Sequence, residues 1–184
     1  MLIVIDVEAN GPCPGEYSMH SLGAVAITNL TLNNPAIFYA RFKPITTNYD
    51  IKAYNAIGSS WEEHITFEDA KISTIDFYGW LKDLEDKYKL YNSLKAISDN
   101  IAFDWQFVNY YLHKYRGTNP MGYSGRRIGD IYSGATKKFR DTTSWKKMRK
   151  TKHTHNPVDD AMGNAEALIE MHKRGLINLD IDLK

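Results

Sequence analysis

Leu2-Ile3-Val4-Ile5 is a continuous apolar run with β-branched members. It predicts a strand buried on both faces, as in a sheet covered by helices. Ser21 to Thr28 and Ala36 to Phe42 predict the next two strands, and Asn33-Asn34-Pro35 marks the turn between them. A three-strand meander is expected. From Glu68 to Tyr88, Ile72, Ile75, Phe77, Trp80, Leu81 and Leu84 recur near a 3.6-residue period, predicting an amphipathic helix. Leu94 to Ile97 predicts a short buried strand, and Ala102 to Tyr115 a helix turning Phe103, Phe107, Val108 and Tyr111 to the core. Gly117 and Asn119-Pro120 end that helix. Arg126 to Lys138 predicts a further helix, with room for a strand before the last one. Pro157 opens the final helix, which runs from Val158 to Arg174 and stops at Gly175. The order predicts one α/β domain with a mixed sheet over residues 1–184.

Three acidic groupings sit where this pattern changes element. Asp6-Val7-Glu8 closes the first strand, so both carboxylates can share one face at the carboxyl end of the sheet. Asp104 stands in the first turn of the helix that follows the buried Leu94–Ile97 strand and the polar turn Ser98-Asp99-Asn100. In His155-Asn-Pro-Val-Asp-Asp160, Asp160 lies about one turn inside the last helix and His155 on the loop before it. Taken singly, each has an ordinary explanation: solvated strand-end acids, a helix-dipole partner, a helix cap. Asp180-Ile-Asp182 repeats the alternation and is read as solvated, and Asp130 as a helix cap.

Together, Asp6-Val-Glu8, Ser-Asp-Asn-Ile-Ala-Phe-Asp104 and His155 with four residues before Asp160 resemble the three exonuclease motifs of the DEDDh superfamily. That superfamily includes ribonuclease T, oligoribonuclease and proofreading exonuclease subunits. The resemblance spans residues 1 to about 174 in the right order. It implies a ribonuclease-H-like fold, two divalent metal ions (Mg²⁺ or Mn²⁺) and removal of nucleoside 5′-monophosphates from the 3′ end of single-stranded nucleic acid. Carried over by motif position, Asp6, Glu8, Asp104 and Asp160 are metal ligands and His155 the general base. The four-residue gap selects His155 over His153, and Asp160 over Asp159. Many relatives read Asp-x-Glu-Thr here, whereas Ala9-Asn10-Gly11 follows Glu8. A contact that the threonine makes to the terminal nucleotide must then come from the backbone of Ala9 and Asn10 or from elsewhere.

The chemistry agrees with the donor types. Four carboxylates in one cleft raise each other's pKa unless cations intervene. Hard oxygen donors suit Mg²⁺ or Mn²⁺, and a single cysteine, Cys13, excludes a four-cysteine zinc site and an internal disulfide. A reducing compartment, the cytoplasm, is the expected location. No stretch approaches a bilayer span, so no membrane partner is expected. At 43% hydrophobic and 24% charged, the chain is globular.

Net charge is +1, but it is unevenly spread. Residues 137–152 hold eight Lys/Arg against Asp141 alone, a segment of +7 that leaves −6 for the rest. The part running into His155, with Trp145, Lys146, Lys147, Arg149 and Lys150, is positioned to hold phosphates, with Trp145 either stacking on a base or anchoring the loop. Arg126 and Arg127 are phosphate contacts or surface. Tyr17, Met19, His20 and Trp61 are candidates to pack against terminal bases. The small stand-alone size leans the reading toward RNA. Related stand-alone enzymes are often dimers, so a homodimer is the assembly implied. Two other functions fit less well. An inert nucleic-acid-binding domain of the same fold would not need all five motif residues, and a small-molecule phosphatase or other hydrolase would have little use for a basic strip.

Overall fold

A computed structural model of the chain describes residues 1–90 and 93–179. Asp180 and Asp182 lie outside the described residues. Five strands, β1 Leu2–Ala9, β2 Met19–Ile27, β3 Ala36–Arg41, β4 Lys95–Ser98 and β5 Gly125–Arg127, form one mixed sheet in the order β3-β2-β1-β4-β5. The meander β1-β2-β3 is antiparallel, and β4 and β5 run parallel to β1. Among the described residues six α-helices flank the sheet, α1 Ile51–Ile57, α2 Trp61–His64, α3 Ala70–Tyr88, α4 Ile101–Arg116, α5 Ile128–Thr136 and α6 Pro157–Lys173, and a 3₁₀ turn spans Ser144–Met148. None of the described helices is long and apolar enough to cross a membrane.

Strand β1 is central, and Ile3, Val4 and Ile5 are fully buried. Period-two alternation divides it between two cores. Ile3, Ile5 and Val7 pack with Phe77 and Leu81 of α3 and Phe107, Val108 and Tyr111 of α4. Val4 packs on the opposite face with Ile97, Ile128, Trp145 and the α6 residues Ala161, Ala165 and Leu168. Asp6 and Glu8 continue the Val4 alternation and therefore face the α6 side.

Three expectations change. In α3 the buried row is Ala70, Ser73, Thr74, Phe77, Leu81 and Leu84, whereas Ile72 and Ile75 point outward. Apolar residues flank the buried row, which blurs a period read from apolarity alone. Residues 125–127 form an edge strand before α5, where Gly125 packs against Ile101 of α4. Three residues are too few to show a period, so sequence extended the helix over them. Asp130 sits inside the first turn of α5, where it pairs with Arg127 at 3.0 Å rather than capping the helix. Helices α1 and α2 carry no apolar period, since each buries one residue, Tyr54 and His64. Their caps carry ordinary sequence signals: Asp50 and Gly58 bracket α1, and Ser60 caps α2 by accepting from the Glu63 N–H.

Close approach of α6 to the sheet depends on Gly23. It lies opposite Asp6 in β2, and a Cβ there would stand 2.2 Å from the Pro157 carbonyl carbon. The obstacle is backbone, which cannot swing aside. Gly23→Ala is expected to destabilise the protein by about 1–3 kcal/mol in urea unfolding. A loss below about 0.5 kcal/mol, the scale of a neutral surface change, would show that α6 does not rest on this glycine.

Candidate active site

The site forms where β1 outruns its parallel neighbour. Strand β4 pairs with β1 only at Leu2, Ile3 and Val4, so later N–H groups on that side lose their ladder partners. The Val7 N–H is taken instead by Asp104 Oδ1 at 2.9 Å. The first turn of α4 thus places Asp104, which is buried, between Asp6 and Glu8 in sequence register. A bulge between Glu8 and Ala9 turns the strand immediately after the second acid.

From the opposite face, α6 brings in Asp160. Asn156 caps the helix by accepting from the Val158 N–H at 2.9 Å, and Pro157 fills the first helical turn. Asp160 is 1% exposed. Asp6, Glu8 and Asp160 each offer an oxygen, and these atoms all lie within 4.8 Å of one another. Asp104 stands next to this trio with one oxygen committed to the Val7 N–H.

Crowding shows in the ionisation of the free protein. Burial, then the charges of Asp104, Asp160 and Glu8, push the Asp6 carboxyl well above its ordinary range. Burial, then Asp160 and Asp104, push Glu8 up to about 8. Burial above all pushes Asp104 up to about 7. Asp160 instead has the Arg149 guanidinium, with Nη2 at 2.7 Å from Oδ1, and the His153 Nδ1, also at 2.7 Å from Oδ1, while the His155 backbone N–H donates to Oδ2 at 3.1 Å. Closely spaced hard-oxygen donors with raised pKa values fit a divalent cation, since such an ion relieves the repulsion that holds their protons on.

Both histidines reach the cleft. The His155 Nδ1 lies 3.5 Å from Glu8 Oε1, and the two imidazoles meet edge to face with centroids 4.4 Å apart. His155 has φ +59°, the left-handed region that a side-chain-bearing residue rarely adopts. Sequence spacing set His153 aside, yet the structure seats it directly on Asp160.

The remaining predicted contacts divide. Trp145 is fully buried and its Nε1 donates to the Thr142 carbonyl, so it anchors the loop and offers no face to a base. Arg149 is also withdrawn: its side chain is 9% exposed, and Gly163 leaves the room for it to cross α6 to Asp160. The Arg149 pairing and the Gly163 gap carry no motif and were not read from the sequence. Lys146 pairs with Asp99 at 2.5 Å, whereas Lys147 and Lys150 stay exposed. The Glu166 carboxylate accepts from the Lys150 and Thr151 N–H groups and staples the strip to α6.

Met19 is a core residue and Ala9 is 5% exposed. Buried Asn10 spends its side chain on the Ser18 N–H, the Asn48 carbonyl and the Tyr54 hydroxyl. His20 is buried among Ser59, His64 and Phe67, where burial, then His64, hold its pKa down at about 3. Met19 and His20 therefore do not pack on bases. Tyr17 covers Gly11. Trp61 stacks on the exposed Tyr49 with centroids 5.5 Å apart and rings inclined by 20°. Asp50, next to Tyr49, donates its N–H to the Asn10 carbonyl, tying this aromatic pair to the end of β1.

A pH dependence of stability follows. Carboxyls raised in the folded state bind more protons there than when unfolded, so their contribution falls as pH rises from about 5 to 8. His20 and His64, held below their ordinary values mainly by burial, act oppositely: stability falls as pH drops below about 6.5. Without metal, Tm is expected to peak near pH ~6 and decline toward pH ~9. The rise in Tm on adding Mn²⁺ should grow over that decline, because the ion then competes with fewer protons. Calorimetric scans across pH, in chelator and in Mn²⁺, check this. A metal increment that shrinks with rising pH would contradict the arrangement.

No protein-family model matches the chain. A curated relative, the 3′-5′ DNA exonuclease Cap18 of Escherichia coli, is 29% identical over 171 residues, covering 91% of this chain and 84% of the relative. Among solved structures, cell-death related nuclease 4 (CRN-4) superposes with a TM-score of 0.72 at 14% identity over 95% of this chain, which spans 64% of that one. The nuclease domain of 3′hExo, a DEDDh family member bound to rAMP, gives a TM-score of 0.68 at 19% identity, covering 95% of this chain and 92% of that one. The fold is that of these nucleases, and the resemblance to the DEDDh exonucleases carried by the three motifs is borne out.

Proposed function

We propose that the chain is a metal-dependent 3′→5′ exonuclease acting on single-stranded DNA. The observation that carries this reading is the convergence of Asp6, Glu8 and Asp160 oxygens within 4.8 Å, beside buried Asp104 and under His155. Two bound Mg²⁺ or Mn²⁺ ions would supply charge neutralisation for the scissile phosphate and lower the pKa of the attacking water. Asp6, Glu8, Asp104 and Asp160 would hold them. His155, half exposed at the mouth of the cleft, accepts the proton of the attacking water. Water oxygen bonds to phosphorus as the bond to the 3′-oxygen breaks. The departing 3′-oxygen takes a proton from solvent, so the products are a nucleoside 5′-monophosphate and a strand with a new 3′-hydroxyl.

Exposed Lys147 would hold a phosphate of the strand, and the Trp61–Tyr49 pair would stack on bases near the 3′ end, whereas Lys150 lies beside Glu166 and Glu170 on the later turns of α6. Two observations favour DNA over the RNA to which chain size leans. The relative at 29% identity bears the name of a DNA exonuclease. Ala9 has no hydroxyl or amide, and the Asn10 amide is fully committed, so neither side chain is available to a ribose 2′-hydroxyl.

The test is digestion of matched 5′-labelled DNA and RNA single strands with Mn²⁺ and with chelator. A ladder shortening from the 3′ end is expected with Mn²⁺ alone, at least about tenfold faster on DNA, the scale of one well-placed discriminating contact. Early release of the 5′ label as mononucleotide would reverse the polarity. Equal rates on both strands would remove the DNA preference, and a gel shift without a ladder would leave only a binding domain.

A further inference from the structure

The basic segment has a second half that the catalytic cleft does not use. Lys137, Lys138, Phe139 and Arg140 follow α5 as four consecutive exposed residues. Phe139 is 91% exposed. A single exposed apolar residue is commonplace, but here a whole aromatic ring stands in water between cations. Among the described residues, Lys137, Lys138 and Arg140 take part in no ion pair. The nearby acid, Asp141, accepts from the Ser144 N–H and lies within reach of the Lys138 charge without forming an ion pair with it.

The turn that presents them is a built one. Lys137 has φ +57° at the position where glycine normally ends a helix. The Lys138 N–H bonds the Ser133 carbonyl at 3.0 Å and the Lys137 N–H bonds the Gly134 carbonyl at 3.2 Å, the double closure of a Schellman motif. The Asp141 N–H then bonds the Lys138 carbonyl at 2.8 Å, and the Ser133 hydroxyl donates to the Phe139 carbonyl at 3.4 Å. That motif ordinarily folds an apolar residue back onto its helix. Here a lysine occupies that place, and the phenylalanine after it is held outward.

Down the chain the turn is tied to the catalytic edge of the sheet. Trp145 pins the segment into the core, and Lys146 pairs with Asp99, next to the end of β4. Phe139 stands seven residues before Lys146, so the two are at most ~25 Å apart, a few nucleotides of single strand.

We propose that Lys137, Lys138, Phe139 and Arg140 form an outlying site for single-stranded DNA, on the 5′ side of the nucleotides held in the cleft. One base stacks on the Phe139 ring, and the flanking cations meet the backbone phosphates. Rings with flanking cations hold single strands without reading sequence, which suits a processing enzyme. The identity of the ligand rests on the proposed exonuclease reading; the binding test does not.

The experiment measures the affinity of the full chain for a fluorescent long single-stranded DNA, in chelator and across salt concentrations. It then compares KM for that strand and for a trinucleotide in Mn²⁺. Phe139→Ala and Phe139→Leu should each weaken binding of the long strand about tenfold, since leucine restores apolarity but not stacking. Replacing Lys137, Lys138 and Arg140 together with alanine should lower the slope of log K against log salt by about 2. KM for the trinucleotide should be unchanged in every variant, because under this proposal the cleft alone holds it. Unchanged affinity and salt slope on the long strand would overturn the proposal, as would an equal rise of KM on both substrates. A parent protein that binds the long strand in chelator but cuts nothing in Mn²⁺ would overturn the exonuclease reading alone.

Discussion

Asp6→Asn is expected to lose at least about a thousandfold in turnover, and Asp104→Asn about a hundredfold, the range seen when a major electrostatic stabiliser is removed. The difference between them comes from geometry. Asp6 feels the charges of Asp104, Asp160 and Glu8, and its oxygen is one of the three that converge within 4.8 Å. Asp104 lies at the edge of that trio with Oδ1 on the Val7 N–H. An asparagine at 104 keeps a carbonyl oxygen for that N–H, so the strand end stays in place while a ligand charge is lost. Neither variant should unfold the protein. Each removes an acid from a crowd of like charges, so the Tm of the metal-free variants should equal or exceed that of the parent at pH 8. Single-turnover kinetics, calorimetric Mn²⁺ titration and a thermal scan check the three statements. An Asp104→Asn enzyme within a factor of two of the parent would remove Asp104 from the ligand set. An Asp6→Asn variant with a collapsed Tm would make Asp6 a scaffold residue.

How much of this was legible in the sequence depended on whether local pattern or tertiary contact decided the outcome. β1 was legible because burial on both faces demands a continuous apolar run, and its end was marked by the first charges, Asp6 and Glu8. α6 was legible because Pro157 and Gly175 punctuate it. Asp104 was not visible as a partner of Val7: that bond exists because β4 stops early, a fact of sheet register rather than of spacing. The basic strip is expected to hold phosphates, with Trp145 either stacking on a base or anchoring the loop, and it divides into three kinds of residue. Trp145 is core, Arg149 serves Asp160, and Lys147 is exposed. Composition cannot separate these, since the separation depends on Gly163 leaving a gap beneath Arg149. Met19 and His20 were misread for a similar reason. Being near the acids in sequence put them on β2, whose every residue is buried.

His155 carries the other large effect. A base must be neutral to accept a proton, so the rate should climb with pH through one ionisation and then level off. His155→Asn is expected to lose about 10²–10⁴-fold, the usual contribution of a positioned base, and to flatten that limb. Asparagine is chosen over alanine because His155 sits at φ +59°, a conformation that asparagine tolerates better than other side-chain-bearing residues. Loss of activity then reports loss of the imidazole rather than a displaced loop. The His155 N–H to Asp160 Oδ2 bond is made by backbone and survives the change, so Mn²⁺ binding should survive as well. His153 is the sharper control than sequence spacing alone would make it, because its Nδ1 rests on Asp160 Oδ1 and its ring touches His155. If it serves only as a partner of Asp160, His153→Ala should change Mn²⁺ affinity and leave the pH limb intact. The decisive measurement is the pH–rate profile of the parent and both variants at saturating Mn²⁺, with calorimetric metal titration of each. A flat profile in His153→Ala beside a normal limb in His155→Asn would transfer the role of base to His153, and with it the placement of the third motif.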